Sequence, residues 1–282
     1  MAFMRRSTSL PLGVDIGSEF VSAVVAHAED DGFTVRETRT LEVPPTETVD
    51  RAIAETLREL LATLVTRERR CILAAPAGEV VTRTFRLPPG MRRGEAERAA
   101  ALEADSIVDW PPSERLVALD PIPGRSEERL LSIARNSTVQ RLVSIARAAG
   151  LRPVAVDVPA CAWRRAIPDA DAVLDCSTDR AALVVFGDPA GVTHLFPPRL
   201  IDDRLAAGVR TAFVDARRDG IADVQRLAIL GSRYRYESLE ELLHDDGYAL
   251  AAAQLGGVDS PSWTFAYGLA SWSIAPRGLT AS

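Results

Sequence analysis

The sequence predicts an α/β protein of two related lobes with a smaller α+β unit inserted between them. Three observations predict this. Short apolar runs at 12–16, 20–28 and 33–43 are joined by tight turns and followed by a helical pattern and one more strand. The same β-β-β-α-β order returns after residue 171. Between the copies, residues 80–158 follow a different order, strand-helix-strand-strand-helix-strand. A repeated order of elements is the first thing to establish, because it fixes the architecture before any motif is weighed.

The elements follow from local chemistry. The run at 12–16 ends in the turn Gly17-Ser18, and Glu29-Asp30-Asp31-Gly32 makes the next hairpin turn. Pro44-Pro45 breaks the strand pattern, and Thr46 or Thr48 can cap a helix on which Ile53, Leu57, Leu60, Leu61 and Leu64 recur at helical spacing. Residues 71–75 read as a buried strand closed by Pro76. In the middle block, strands are expected at 80–87, 115–120, 129–134 and 153–158, with helices at 93–105 and 139–149, the latter stopped by Gly150. In the second copy, strands at 171–175, 181–186 and 192–196 precede a helix at 203–218, a strand at 227–230 and helices at 238–243 and 263–274. The expected units are a first lobe, 1–79, an inserted unit, 80–158, and a reduced second lobe, 159–282.

Composition narrows the chemistry. The chain has 282 residues, 47% hydrophobic and 26% charged, which suits an ordinary globular protein. A net charge of -6 argues against nucleic acid as a partner. All 33 basic residues are arginine. A Walker-type phosphate loop and Schiff-base catalysis both need lysine, so both are excluded. Cys71, Cys161 and Cys176 are far apart, as are His27, His194 and His244, so neither set has the spacing of a zinc or redox site. No stretch has the length of a signal-peptide core or a membrane span, so the expected location is the cytoplasm, with the membrane reached only through a partner.

Two turns at matching places in the repeats stand out: Asp15-Ile16-Gly17-Ser18 and Asp175-Cys176-Ser177-Thr178. A glycine-containing turn after a strand can present backbone N–H groups to phosphate oxygens, and a strand-end aspartate can hold hydrated Mg²⁺. The same residues also serve simply to close hairpins.

The stretch from Leu12 to Ser18, followed by Val21, resembles the first phosphate loop of actin-like (ribonuclease H-like) ATPases, and within them the PilM family of type IV pilus assembly proteins. Ala100-Ala101-Leu102-Glu103-Ala104-Asp105 and Trp110-Pro111-Pro112-Ser113-Glu114 are similar to that family's inserted, SHS2-like subdomain. Arg135, the segment from Ala149 to Pro153 with Val156-Asp157, Ala228-Ile229-Leu230-Gly231 and Tyr267-Gly268-Leu269-Ala270 match further family segments. The likeness runs from about residue 12 to 272.

The resemblance implies Asp15, Gly17, Ser18, Asp175, Ser177 and Gly231 as phosphate- and adenosine-loop residues, with ATP as ligand and Mg²⁺ held at Asp15 through water. Four departures point the other way. Cys176 is read as standing in place of the second loop's glycine, where its side chain would crowd a phosphate. Ser232, Arg233 and Tyr234 replace the glycines after Gly231. The second lobe lacks its usual extra subdomain between Phe196 and Asp203, and Ser22 stands where relatives carry lysine. The expectation is a binding protein with an eroded ATP site and no required cofactor, not an enzyme. Its implied role is a pilus-assembly adaptor. It would hold the cytoplasmic N-terminal tail of a PilN-like inner-membrane protein in the groove between first lobe and insert, alongside other assembly proteins. A working ATPase or ATP-gated switch, and a cytoplasmic component of type II secretion, are the alternatives.

Overall fold

The structure is a computed structural model that describes residues 8–29, 32–122, 125–176, 181–187, 192–197, 200–230, 233–252 and 264–271. The first sheet begins with β1 (Thr8–Ser9), β2 (Leu12–Ile16), β3 (Phe20–Glu29) and β4 (Gly32–Glu42), followed by helix α1 (Val49–Thr63) and β5 (Arg70–Ala74). The chain then leaves this sheet for β6 (Val80–Arg86), α2 (Arg93–Ile107), β7 (Arg115–Ile122) and β8 (Arg125–Arg135), which make a separate three-stranded antiparallel sheet ordered β6-β8-β7. It returns through α3 (Asn136–Ala148) and β9 (Arg152–Asp157), and β9 pairs in parallel with β5.

This return ties the end of the expected inserted unit, 80–158, to the first sheet. The separate three-stranded sheet is built from residues within 80–135, while Arg70–Ala74 aligns with Arg152–Asp157. The α3 residues Leu142, Ile145 and Ala146 also pack into the first sheet's core beside Leu57 and Leu60 of α1.

After α4 (Pro159–Ala166) come β10 (Ala172–Asp175), β11 (Ala182–Val185), β12 (Val192–Leu195), α5 (Asp202–Arg218), β13 (Arg226–Leu230), α6 (Arg233–Leu243), β14 (Ala249–Ala252) and α7 (Thr264–Ala270). The second sheet runs β12-β11-β10-β13-β14. The first runs β4-β3-β2-β5-β9, with β1 on the far end of β3. The two orders are the same. In both, the first three strands are antiparallel and the last two join in parallel. The connection from β12 to α5 is only residues 196–201, so no subdomain intervenes there.

Each sheet buries one face under its own helices. In the first lobe α1 and α3 cover Leu12, Val14, Val21 and Leu73; in the second, α5 and α6 cover Leu174, Leu183, Val185 and Ile229. The other faces are covered by an exchange. Trp163 of α4 packs on Val173, Val184 and Ala228 of the second sheet, while Ala266 and Ala270 of α7 pack on Val24 and Ala26 of the first. The two exchanged helices meet at Ala162 and Leu269, over Ile72. Glycine makes this approach feasible. A Cβ on Gly13 would lie 1.8 Å from the Ala266 carbonyl oxygen, and one on Gly268 would lie 2.0 Å from that of Ala162.

Candidate functional site

The matching turns of the two repeats lie at the carboxyl ends of β2 and β10, the usual place for ligand sites in open α/β sheets. Asp15 is half-buried. Burial, and then the charge of Asp175 from the other lobe, raise its carboxyl to about 7. The opposed lobes therefore bring the two expected aspartates together. Asp15 pairs across the ladder with Ser22, which pairs with Thr40, so all three project from one face of the sheet. Ser22 is buried and its hydroxyl lies 2.9 Å from that of Thr40.

Gly17 is explained by the hairpin itself. Its amide donates to the Phe20 carbonyl at 2.9 Å, and an added Cβ would meet that oxygen at 2.8 Å. Ser18 is exposed at the turn. Ser177, Gly231 and Ser232 lie outside the described residues.

Cys176 is a correction. Its side chain does not crowd the cleft; it is 5% exposed and belongs to the core of the second lobe. Counted from the paired aspartates, Cys176 matches Ile16, which likewise packs into the first lobe's core. The residue in register with Gly17 is therefore Ser177.

A second concavity lies elsewhere. A groove of about 430 Å³ runs between the three-stranded sheet and the edge of the first lobe. One wall comes from β7 and β8. Leu116, Ala118 and Asp120 stand opposite Ala134, Ser132 and Leu130, so these six share one sheet face, and all line the groove. Leu131 and Ile133 point the other way, onto Ala100 and Ala104 of α2. The facing wall is Ala155, Val156, Asp157 and Val158, with Cys161 and Arg165 of α4.

Successive strand residues point to opposite faces. A groove that touches consecutive residues of both β7 and β9 therefore reaches the strand edges as well as one face. Among the described residues both strands are terminal in their sheets, so those edges are unpaired there.

The groove is mainly apolar with a charged end. Asp157 accepts from the Val158 amide at 2.8 Å and is ion-paired with Arg165, whose Nε donates to the Gly268 carbonyl at 3.0 Å. Burial raises the Asp157 carboxyl, and the Arg165 charge offsets only part of that. Asp120 is raised as well, by burial first and then by the charge of Asp157. Burial, with Asp157 adding to it, pushes the Cys161 thiol up to about 12, so it stays protonated and inert.

The other face of this sheet is fastened to α2 and the segment after it, partly by Arg135, Trp110 and Asp105, which the sequence had picked out. The Arg135 guanidinium stacks 4.4 Å from the Trp110 ring and pairs with Glu79 at 3.0 Å. Arg115 is buried, donates to the Ala101 carbonyl at 3.1 Å and pairs with Asp105. Asp120, Ser132 and Arg165 were not foreseen from sequence, since their common feature is a shared wall and not a spacing.

Comparison with known proteins now decides the family. The family described as type IV pilus assembly protein PilM matches residues 13–195, more than half of the chain. The chain belongs to the PilM family. That match spans the first lobe, the insert and the first three strands of the second lobe. Among solved structures, the chain is similar to one titled PilM-PilN type IV pilus biogenesis complex, at 19% identity and TM-score 0.71, covering 96% of this chain and 99% of that one. It is also similar to the cytoplasmic domain of EpsL, an inner-membrane component of the type II secretion system of Vibrio cholerae, at 13% identity and TM-score 0.54, covering 90% and 92%. A Bacteroides thetaiotaomicron protein with an actin-like ATPase fold matches at 11% identity and TM-score 0.51, covering 89% and 93%. No curated protein sequence matches significantly. These likenesses establish the actin-like fold for this PilM-family chain. Among the described residues, no helix is long and apolar enough to cross a membrane.

Proposed function

We propose that this PilM-family protein is a cytoplasmic adaptor of a type IV pilus assembly machine that holds the cytoplasmic N-terminal tail of a PilN-like inner-membrane protein in the β7–β9 groove. The observation that carries the reading is the groove itself. Two open strand edges and an apolar sheet face converge there, which is what an extended peptide needs for main-chain hydrogen bonds and for its alternate side chains. Nothing in such binding requires hydrolysis. The partner, in this reading, recruits the protein to the inner membrane.

The first phosphate loop serves as fold architecture: Gly17 closes its hairpin, and Ser22 bonds Thr40 where relatives carry a lysine. Titrating the tail peptide of the PilN-like protein from the same system into nucleotide-free protein should give saturable binding. Ala118→Trp places an indole on the exposed groove wall and should weaken binding by at least about tenfold. Undiminished binding to that variant contradicts the groove reading.

A second reading, an ATP-gated switch, is favoured by one observation: Asp15 and Asp175 face each other closely enough to perturb Asp15. Two opposed carboxylates suit a hydrated cation, which would supply charge neutralisation for phosphates. That reading predicts thermal stabilisation by Mg-ATP, about 2.7 kcal/mol at a hundredfold excess over Kd. A flat melting temperature at millimolar Mg-ATP removes it.

A further inference from the structure

The charged end of the groove has an imbalance of partners. Three charged groups face one another there, Asp120 on β7, Asp157 on β9 and Arg165 on α4, beside the neutral Cys161 thiol. Arg165 is committed to Asp157 and to the Gly268 carbonyl, and the other Asp157 oxygen accepts from the Val158 amide. Among the described residues, no cation or hydrogen-bond donor meets the Asp120 carboxylate. One formal negative charge is therefore left without a partner among the described residues, in a mostly apolar groove.

On the same wall, the Ser132 hydroxyl oxygen is buried and has no hydrogen-bond partner. Ser132 pairs with Ala118 and Asp120 lies two residues further along β7, so both polar groups look into the groove from one sheet face. Buried polar groups in folded proteins are nearly always satisfied, and an entering donor or acceptor would satisfy this one.

Resting on the groove reading above, we infer that the segment bound there carries an arginine or lysine that pairs with Asp120, and that the same segment satisfies the Ser132 hydroxyl. Charge complementarity selects this occupant. An acidic or purely apolar segment would leave Asp120 uncompensated, or repelled, in a site that binding closes off from water. General membrane topology agrees, because cytoplasmic segments flanking a membrane span carry an excess of Lys and Arg. The apolar wall gives affinity, and Asp120 sets register and rejects acidic segments.

The test is a selection from a library of randomised twelve-residue peptides against the full chain, with Ala118→Trp and Asp120→Asn chains as counter-targets. Peptides that bind the native chain should be enriched in Arg or Lys at one position. Replacing that residue by Gln should weaken binding to the native chain about tenfold, an effect lost on Asp120→Asn and reduced at high salt. Suppose the selected peptides lose binding to Ala118→Trp but tolerate Gln without change. The charge inference is then overturned while the groove stands. If they bind Ala118→Trp as well as the native chain, or if none is selected, the groove reading falls and this inference with it.

Discussion

Asp15 combines two physical demands that conflict. It sits at the end of a buried strand, and it faces a second carboxylate. In the folded state its carboxyl is raised to about 7, against an ordinary value of 3.8. Between pH 4 and 7 the folded chain therefore keeps a proton that the unfolded chain releases, and stability from this group declines as pH rises through that window. Asp15→Asn should remove the decline. Urea unfolding should show the variant about 2–4 kcal/mol more stable than the native chain at pH 8, with the gap closing towards pH 4. Parallel curves would mean that Asp15 is not strained by its neighbours. The aspartates themselves were legible in sequence because strand, turn and repeat each marked them. The register of Cys176 was not. Its core packing depends on matching Ile16 across the repeats, one residue away from where a glycine-based motif places it.

Among the elements, the exchanged helices decide how the lobes are joined. α7 ends the described chain, yet packs on β2 and β3 of the first lobe, and α4 reaches across to the second. Gly13 and Gly268 are the contact points. Gly13→Ala and Gly268→Ala each require backbone to shift, since the new methyl would sit inside the van der Waals radius of a carbonyl oxygen. Each should cost about 1–3 kcal/mol in chemical unfolding, while Gly150→Ala, at a positive φ with open space around it, tests the strain of the left-handed backbone alone. Equal stability of the Gly13 and Gly268 variants with the native chain would refute the close crossing. Most elements were readable from local periodicity, among them α1 with its Ile53, Leu57 and Leu60 stripe. The short α4 and β14 were not, because eight and four residues carry too little pattern to separate from a loop. The partner of β9 was unreadable for a different reason: strand pairing with β5 across the whole insert leaves no trace in the local pattern.

Taken whole, the molecule has two places that ask for different ligands, the strand ends at Asp15 and the groove. At the strand ends, Asp15 feels the charge of Asp175 from the other lobe. The groove between β7 and β9 offers two open strand edges and an apolar wall. The fold class and the repeat are visible in sequence because hydrophobic alternation is local. The groove was foreseen only as a place between two units, since its walls come from strands whose neighbours are set by folding. The account gives the groove the binding role and makes it independent of nucleotide. Amide hydrogen exchange, with and without the tail of the PilN-like partner and with no ATP present, tests that most directly. The account predicts new protection at 116–120 and 155–158, where the open edges would gain main-chain hydrogen bonds. Protection that is absent from both stretches, or that develops only when Mg-ATP is added, would contradict it.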